Sequence, residues 1–288
     1  MKARLLIGIW LLGVGTQCMA SNSSLIFEAR VTKDTVFTFE AVWVRFFAVN
    51  NTGATIKCYP MRLEDNSIML EMFDETGKSA LGSYVASGRS NTGVVLDPGD
   101  TLWGHGNLLG HSIAWDSASR KQYFPPGHYT AIFHWQHSLT GSADARANAR
   151  LVDSVSFVVV APVGQEAQAL RAYLELYSRY HPPQEWGEAL WEYFLGHKTS
   201  PYGEAALKTL AILVSGGAVP PPGGRTRAQV VIEFATRCPN NPTLEDPLKR
   251  VARELSSEES KRFLSFLRDS IPGTLASKYA SRLLESEE

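Results

Sequence analysis

The only nucleophile-like run in the chain is Gly110-His111-Ser112-Ile113-Ala114. It stands one residue away from the Gly-x-Ser-x-Gly pattern that exposes a serine on a sharp strand-to-helix turn. Such a serine needs a helix after it and an acid and a histidine further along the chain. Here it lies among strand-like segments, and only His181 and His197 follow beyond them. A Gly-rich loop between strands is the plainer expectation. A second chemistry would use His105 and His111 with Asp116, because a metal ion takes three or four ligands that converge on one point. His128 and His134 share a strand face but stand about 20 Å apart along it, and His134 and His137 point to opposite faces. A third would use Trp103 and Trp115, which flank the same Gly-rich stretch and could stack on a sugar ring. The ligand-binding candidates are therefore Trp103, His105, His111 and Trp115, set against surface histidines and core tryptophans.

The remaining chemistry is sparse. Walker, dinucleotide, zincin and paired-cysteine patterns are missing, so no cofactor and no metal is implied. Glu258-Glu259 sits at a solvated helix end, where nothing would shift the pKa of a general acid. The 288 residues carry 28 Lys plus Arg against 29 Asp plus Glu, a net charge of −1, and 44% hydrophobic residues. A nucleic-acid partner calls for a basic surface, and this balance offers none. Length and composition describe a globular protein of two domains and exclude the disordered, collagen-like and disulfide-scaffold classes.

Residues 1–20 read as a secretory signal peptide: Lys2 and Arg4, an apolar run from Leu5 to Val14, then small or polar residues to Ala20. That run, about ten residues, is shorter than the roughly 20 a membrane helix needs. Cleavage after Ala20 predicts an exported chain, periplasmic or extracellular, with no transmembrane segment. A lipoprotein anchored at Cys18 is the rival reading, although Gly15-Thr16-Gln17 before it fits that signal poorly. After cleavage Cys58 and Cys238 remain, and the compartment permits disulfides. Two separately buried thiols are expected in preference to a bridge.

Behind the candidate residues stand two halves with different periods. Residues 21–162 alternate apolar and polar side chains in short runs separated by turn residues. Val36 to Val49 reads as one long strand, followed by the Asn50-Asn51-Thr52-Gly53 turn. Ile68–Phe73, Gly93–Leu96, and the runs around Tyr129 to Trp135 and Val155 to Val159 follow, and no helix is expected here. The motifs Phe39 to Val44, Leu96-Asp97-Pro98-Gly99-Asp100 and Phe124-Pro125-Pro126-Gly127 resemble those of the immunoglobulin-like sandwich of many exported bacterial proteins. That resemblance covers about half the chain and implies an all-β sandwich of the immunoglobulin or fibronectin kind. It implies a fold and no function.

From residue 163 the period becomes helical, with Ala169, Leu170, Tyr173, Leu174 and Tyr177 on one stripe. Seven helices are predicted over 165–180, 184–195, 200–214, 226–237, 243–255, 257–269 and 274–284. Trp186-Gly187-Glu188-Ala189-Leu190 is echoed by Tyr202-Gly203-Glu204-Ala205-Ala206-Leu207. These segments resemble tetratricopeptide-type helix pairs, which implies an all-α helical bundle or short α-solenoid over 163–288. The proline intervals of 18 and 38 residues depart from the 34 of that repeat.

The expectation is a non-enzymatic protein of the cell envelope, engaged in protein–protein interaction or scaffolding, with Tyr177 and Tyr202 as partner-binding candidates. A glycan-binding module is the first alternative. A hydrolase or metal-dependent enzyme centred on His105, His111, Ser112 and Asp116 is the second.

Overall fold

The computed structural model describes residues 25–63, 67–82, 93–139 and 149–286. The predicted signal segment and Cys18 lie outside the described residues. Eleven strands come first: β1 (Leu25–Val31), β2 (Thr35–Phe37), β3 (Trp43–Asn50), β4 (Ile56–Cys58), β5 (Ile68–Asp74), β6 (Val94–Leu96), β7 (Thr101–Asn107), β8 (Ala114–Asp116), β9 (Lys121–Tyr123), β10 (Gly127–Leu139) and β11 (Ala149–Val160). Seven helices follow: α1 (Gly164–Ser178), α2 (Pro183–Gly196), α3 (Pro201–Ser215), α4 (Arg227–Arg237), α5 (Glu245–Glu254), α6 (Ser257–Ser270) and α7 (Leu275–Glu285). No helix among the described residues is long and apolar enough to cross a membrane.

The β-then-α order stands, but the expected all-β immunoglobulin-like sandwich does not. The strands are divided among three small sheets: β1-β3-β7, β2-β11-β10-β4-β6 with β5 also on β10, and the pair β8-β9. Pairing is mixed, since β2 runs parallel to β11 while the other ladders are antiparallel. Periodicity located β5, β6, β10 and β11, but it assigned no separate strand to β1, β4 or β9 and read β7 and β8 as a Gly-rich loop. It also could not say which strands would pair, because hydrogen-bond partners are set by contacts distant in sequence. The single strand expected over Val36 to Val49 is broken for a local reason. Phe39 takes a positive φ of 67°. The Glu40 amide donates to the Phe37 carbonyl at 2.9 Å, and the Glu40 carboxylate accepts from the Phe37 amide at 2.9 Å. This tight turn sends the chain from the second sheet into the first.

The two larger sheets share a core built from alternating side chains. Val44, Phe46 and Ala48 of β3 are fully buried, as are Ala131, Phe133 and Trp135 of β10. Phe46 meets Phe133 edge-on with ring centroids 5.0 Å apart, and Phe27 stacks on Trp135 at 5.7 Å. Asp153 of β11 ties the sheets together by accepting from the Ala29 amide of β1 at 2.7 Å. Asn50 closes the end of β3, donating to the carbonyls of Ala54 and Leu96 at 2.9 Å each.

All seven predicted helices are present. Their packing is that of a bundle, because α3 touches α1, α2, α4 and α5, whereas a solenoid unit touches only its neighbours. Ser200 caps α3, Pro201 occupies its first turn, and Tyr202, Ala206, Leu207, Leu210, Ala211 and Val214 are buried. The sequence echo has a steric basis. A Cβ on Gly203 would stand 2.0 Å from the His197 carbonyl oxygen, and one on Gly187 2.7 Å from that of Pro220.

The halves are joined rather than strung together. Tyr202, wholly buried, donates its hydroxyl hydrogen to the Thr38 carbonyl at 2.7 Å. Phe37, Phe39 and Trp103 of the β half pack against the helical core. Lys121 places its ammonium 3.4 Å from the centre of the Tyr177 ring and 3.3 Å from the Tyr173 hydroxyl.

Candidate binding cleft

The outer face of the β1-β3-β7 sheet carries the side chains that alternate with the core. On β3 these are Trp43, Arg45 and Phe47, and on β7 they are Trp103 and His105, in the register Arg45↔His105 and Phe47↔Trp103. Helices α3 and α7 lie over this face without sealing it, leaving four neighbouring cavities along the seam that share lining residues. The first, about 320 Å³, lies between Lys33, Glu40, Trp43 and Arg45 on the β side and Glu204, Lys208 and Cys238 on the helical side. Arg45 also lines the second, of about 250 Å³, with Trp103, His105 and Lys278. His105 continues into the remaining two, of about 280 and 400 Å³, which share Arg62 and Glu245 and add Arg282 in one and Asp246 and Arg250 in the other.

Electrostatics within the cleft are uneven. Lys33 and Glu40 form a closed pair at 2.6 Å. Burial opposes the charge of Lys33, but the Glu40 carboxylate outweighs it and holds the pKa above its ordinary value. Burial pushes the Lys208 ammonium down and the Glu204 carboxyl up. The Cys238 thiol is driven up to about 12, mainly by burial, so it is neutral at physiological pH. Lys208 lies 5.7 Å from the centre of the Trp43 ring and forms no ion pair among the described residues. The buried Arg45 Nε carries no hydrogen bond there either. His105 is lowered to about 4 by burial and, secondarily, by Arg62.

The structure disperses the residues singled out from sequence. The stretch from Trp103 to Trp115 is not a loop: it is β7, a 3-10 turn over Leu108–His111, and β8. Gly104 and Gly106 serve close packing, since a Cβ on Gly104 would stand 2.0 Å from the Met61 carbonyl oxygen and one on Gly106 2.2 Å from Leu63 Cδ1, whereas a Cβ on Gly110 would meet nothing within 4 Å. Trp103 lies against Tyr279 at 6.0 Å, with the Arg282 guanidinium 5.0 Å from its ring centre. Trp115 is 56% exposed on β8. Trp103 is committed to the seam, so the two do not form a common platform. His105 lines the cleft, whereas His111 is buried, and no group of three possible metal ligands occurs among the described residues. Ser112 is buried and donates to the Tyr123 carbonyl. Asp116 accepts from the Ser119 amide at 2.8 Å and from its hydroxyl. Each of these groups serves a local turn.

Tyr177 donates to the Thr209 hydroxyl at 3.0 Å and meets Trp186 edge-on at 5.1 Å. Tyr202 is engaged with Thr38, so its hydroxyl faces no outside partner. Cys58 and Cys238 are both buried free thiols. Trp43, Arg45, Arg62 and Lys208 were not found from sequence. A signal for two of them was present: Arg45 interrupts the apolar and aromatic run of β3, and Lys208 stands in an otherwise apolar stretch of α3.

No protein-family model matches the chain. No curated protein matches it. Among solved structures, a β-glucosidase from Erythrobacter marinus is similar over 48% of this chain and 16% of its own, at 12% identity and a TM-score of 0.28. The sporulation control protein Spo0M from Bacillus subtilis is similar over 53% of this chain and 54% of its own, at 10% identity and 0.27. The α-2-macroglobulin of E. coli is similar over 91% of this chain and 19% of its own, at 10% identity and 0.28. The chain thus spans well under two thirds of each, and likenesses of this depth assign neither fold nor activity.

Proposed function

We propose that the chain is an exported, non-enzymatic interaction protein of the cell envelope, and that the seam between its halves receives an extended segment of a partner protein. The observation that carries this reading is that the four cavities lie side by side along the seam, neighbouring ones sharing Arg45, His105 or Arg62 in their walls. A small-molecule site is typically one enclosed pocket. A string of shallow cavities along a sheet face suits a chain laid across it, with side chains dropping into successive depressions. Aromatic and arginine side chains line the string, and these types anchor protein interfaces. Export rests on the character of residues 1–20 in the sequence.

The test is affinity capture from the native envelope with the tagged mature chain and with its Arg62→Glu variant. Recovery of one stoichiometric protein by the native chain, lost on reversal of the Arg62 charge, supports the reading. Enrichment of polysaccharide without protein overturns it in favour of a glycan-binding module. Retention that ignores the Arg62 charge overturns the assignment to the seam.

A further inference from the structure

The first cavity contains two cationic groups without an acceptor. Lys208 projects from the middle of α3 between its buried neighbours Leu207 and Leu210 and reaches the Trp43 ring face. No carboxylate neutralises it. Glu40 is occupied by Lys33 at 2.6 Å and by the Phe37 amide at 2.9 Å. Glu204, one turn earlier on α3, forms no ion pair among the described residues. The Cys238 thiol is neutral, and Lys121 repels Lys208. Arg45 adds a buried Nε–H with no acceptor. A partly buried ammonium and a buried guanidinium donor left unmatched cost free energy that folding alone does not recover. Residues 43 and 45 lie on one face of β3, so an anion in the roughly 320 Å³ cavity would sit beside the Trp43 ring with Lys208 as its donor, while the Arg45 side chain lining the same cavity adds positive charge to the wall.

We propose that this cavity captures the carboxylate of an Asp or Glu side chain in an acidic segment of a partner protein, with Lys208 as its donor, Arg45 as a second positive charge on the cavity wall and Trp43 as the apolar wall. A protein segment fits better than a free anion because the seam beyond Arg45 has the same bias. Arg62, Arg250, Lys278 and Arg282 line it against Glu245 and Asp246. Neighbouring acidic residues would therefore find complementary charge, which favours both encounter and register. The inference rests on the seam being a protein-binding groove, and adds the chemistry of its occupant.

The experiment is calorimetric titration of the full mature chain with a synthetic peptide of alternating Glu and Ala, its Gln counterpart, and inorganic phosphate. Lys208→Met and Arg45→Gln are compared with Lys261→Met, a change on the exposed face of α6. Lys208→Met removes an unneutralised cation, so the fold is expected to tolerate it. Binding of the Glu peptide, absence of binding by the Gln peptide, and weakening of about tenfold or more by either cavity change but not by Lys261→Met support the proposal. Equal binding by the Lys208→Met and native chains overturns it. So does phosphate binding with the same dependence on Lys208 when the peptide does not bind. If envelope capture still yields a partner that ignores Lys208, this inference fails while the groove stands; if capture yields no protein, the groove itself fails.

Discussion

Replacing Tyr202 by Phe removes one oxygen from the place where the halves are joined. The ring stays, fully buried and 5.7 Å from that of Tyr173, so packing is preserved. What disappears is the 2.7 Å bond to the Thr38 carbonyl. That carbonyl lies at a buried residue and would lose its donor. Leaving a buried acceptor unmatched costs about 1–3 kcal/mol. At about 2–4 °C per kcal/mol for a chain of this size class, a central cost of about 2 kcal/mol lowers Tm by about 4–8 °C. Urea unfolding should be followed in parallel by tryptophan fluorescence, which samples both halves, and by far-ultraviolet circular dichroism, which reports mainly the helices. The midpoint should fall by the same amount in both signals with the denaturant slope unchanged, because the bond couples two parts of one cooperative unit. Tyr180→Phe, at 89% exposure, is the control and should change stability by less than about 0.5 kcal/mol. A Tyr202→Phe effect no larger than the control, or a shift confined to the helical signal, would refute the argument that the halves are welded at this point.

Three further outcomes concern β7. His105 is held at about 4 in the folded chain against 6.5 when unfolded, so between those values only the unfolded chain takes up the proton. Stability is therefore lost as pH falls from 6.5 towards 4, and His105→Gln should flatten that limb when urea midpoints are plotted against pH. Gly104→Ala forces a methyl group against the Met61 backbone and should cost about 2–3 kcal/mol in thermal unfolding. Gly106→Ala meets Leu63 Cδ1 at 2.2 Å and Cγ at 2.6 Å, and since Leu63 is buried it should also cost about 2 kcal/mol.

Local structure was legible where one segment's side chains decide the outcome. The seven helices follow from apolar stripes and caps such as Ser200-Pro201, and the Asp97-Pro98-Gly99-Asp100 turn follows from its residue types: Gly99 takes a φ of 87° and the Asp100 amide bonds the Asp97 carbonyl. Strand pairing was not legible. Nothing local indicates that β2 will run parallel to β11 or that β10 will pair with β5 over one part and β4 over another. The cleft was illegible for a related reason. It is assembled from β3, β7, the Arg62 segment, α3 and α7, and each contributes a residue that reads alone as an ordinary surface charge or a core aromatic. The sequence drew attention to Trp103, His105, His111 and Trp115 because they are close along the chain. Only Trp103 and His105 face the seam, since β7 turns its alternate residues that way while the 3-10 turn buries His111.

Hydrogen exchange of the mature chain, measured with and without the captured protein partner, tests the seam as the binding surface most directly. Slowed exchange in β3, β7 and the amino-terminal half of α3, lost with Lys208→Met, is the predicted result. Protection centred on the exposed Trp115 hairpin or on the outer face of β10 and β11, with the seam unchanged, would contradict it.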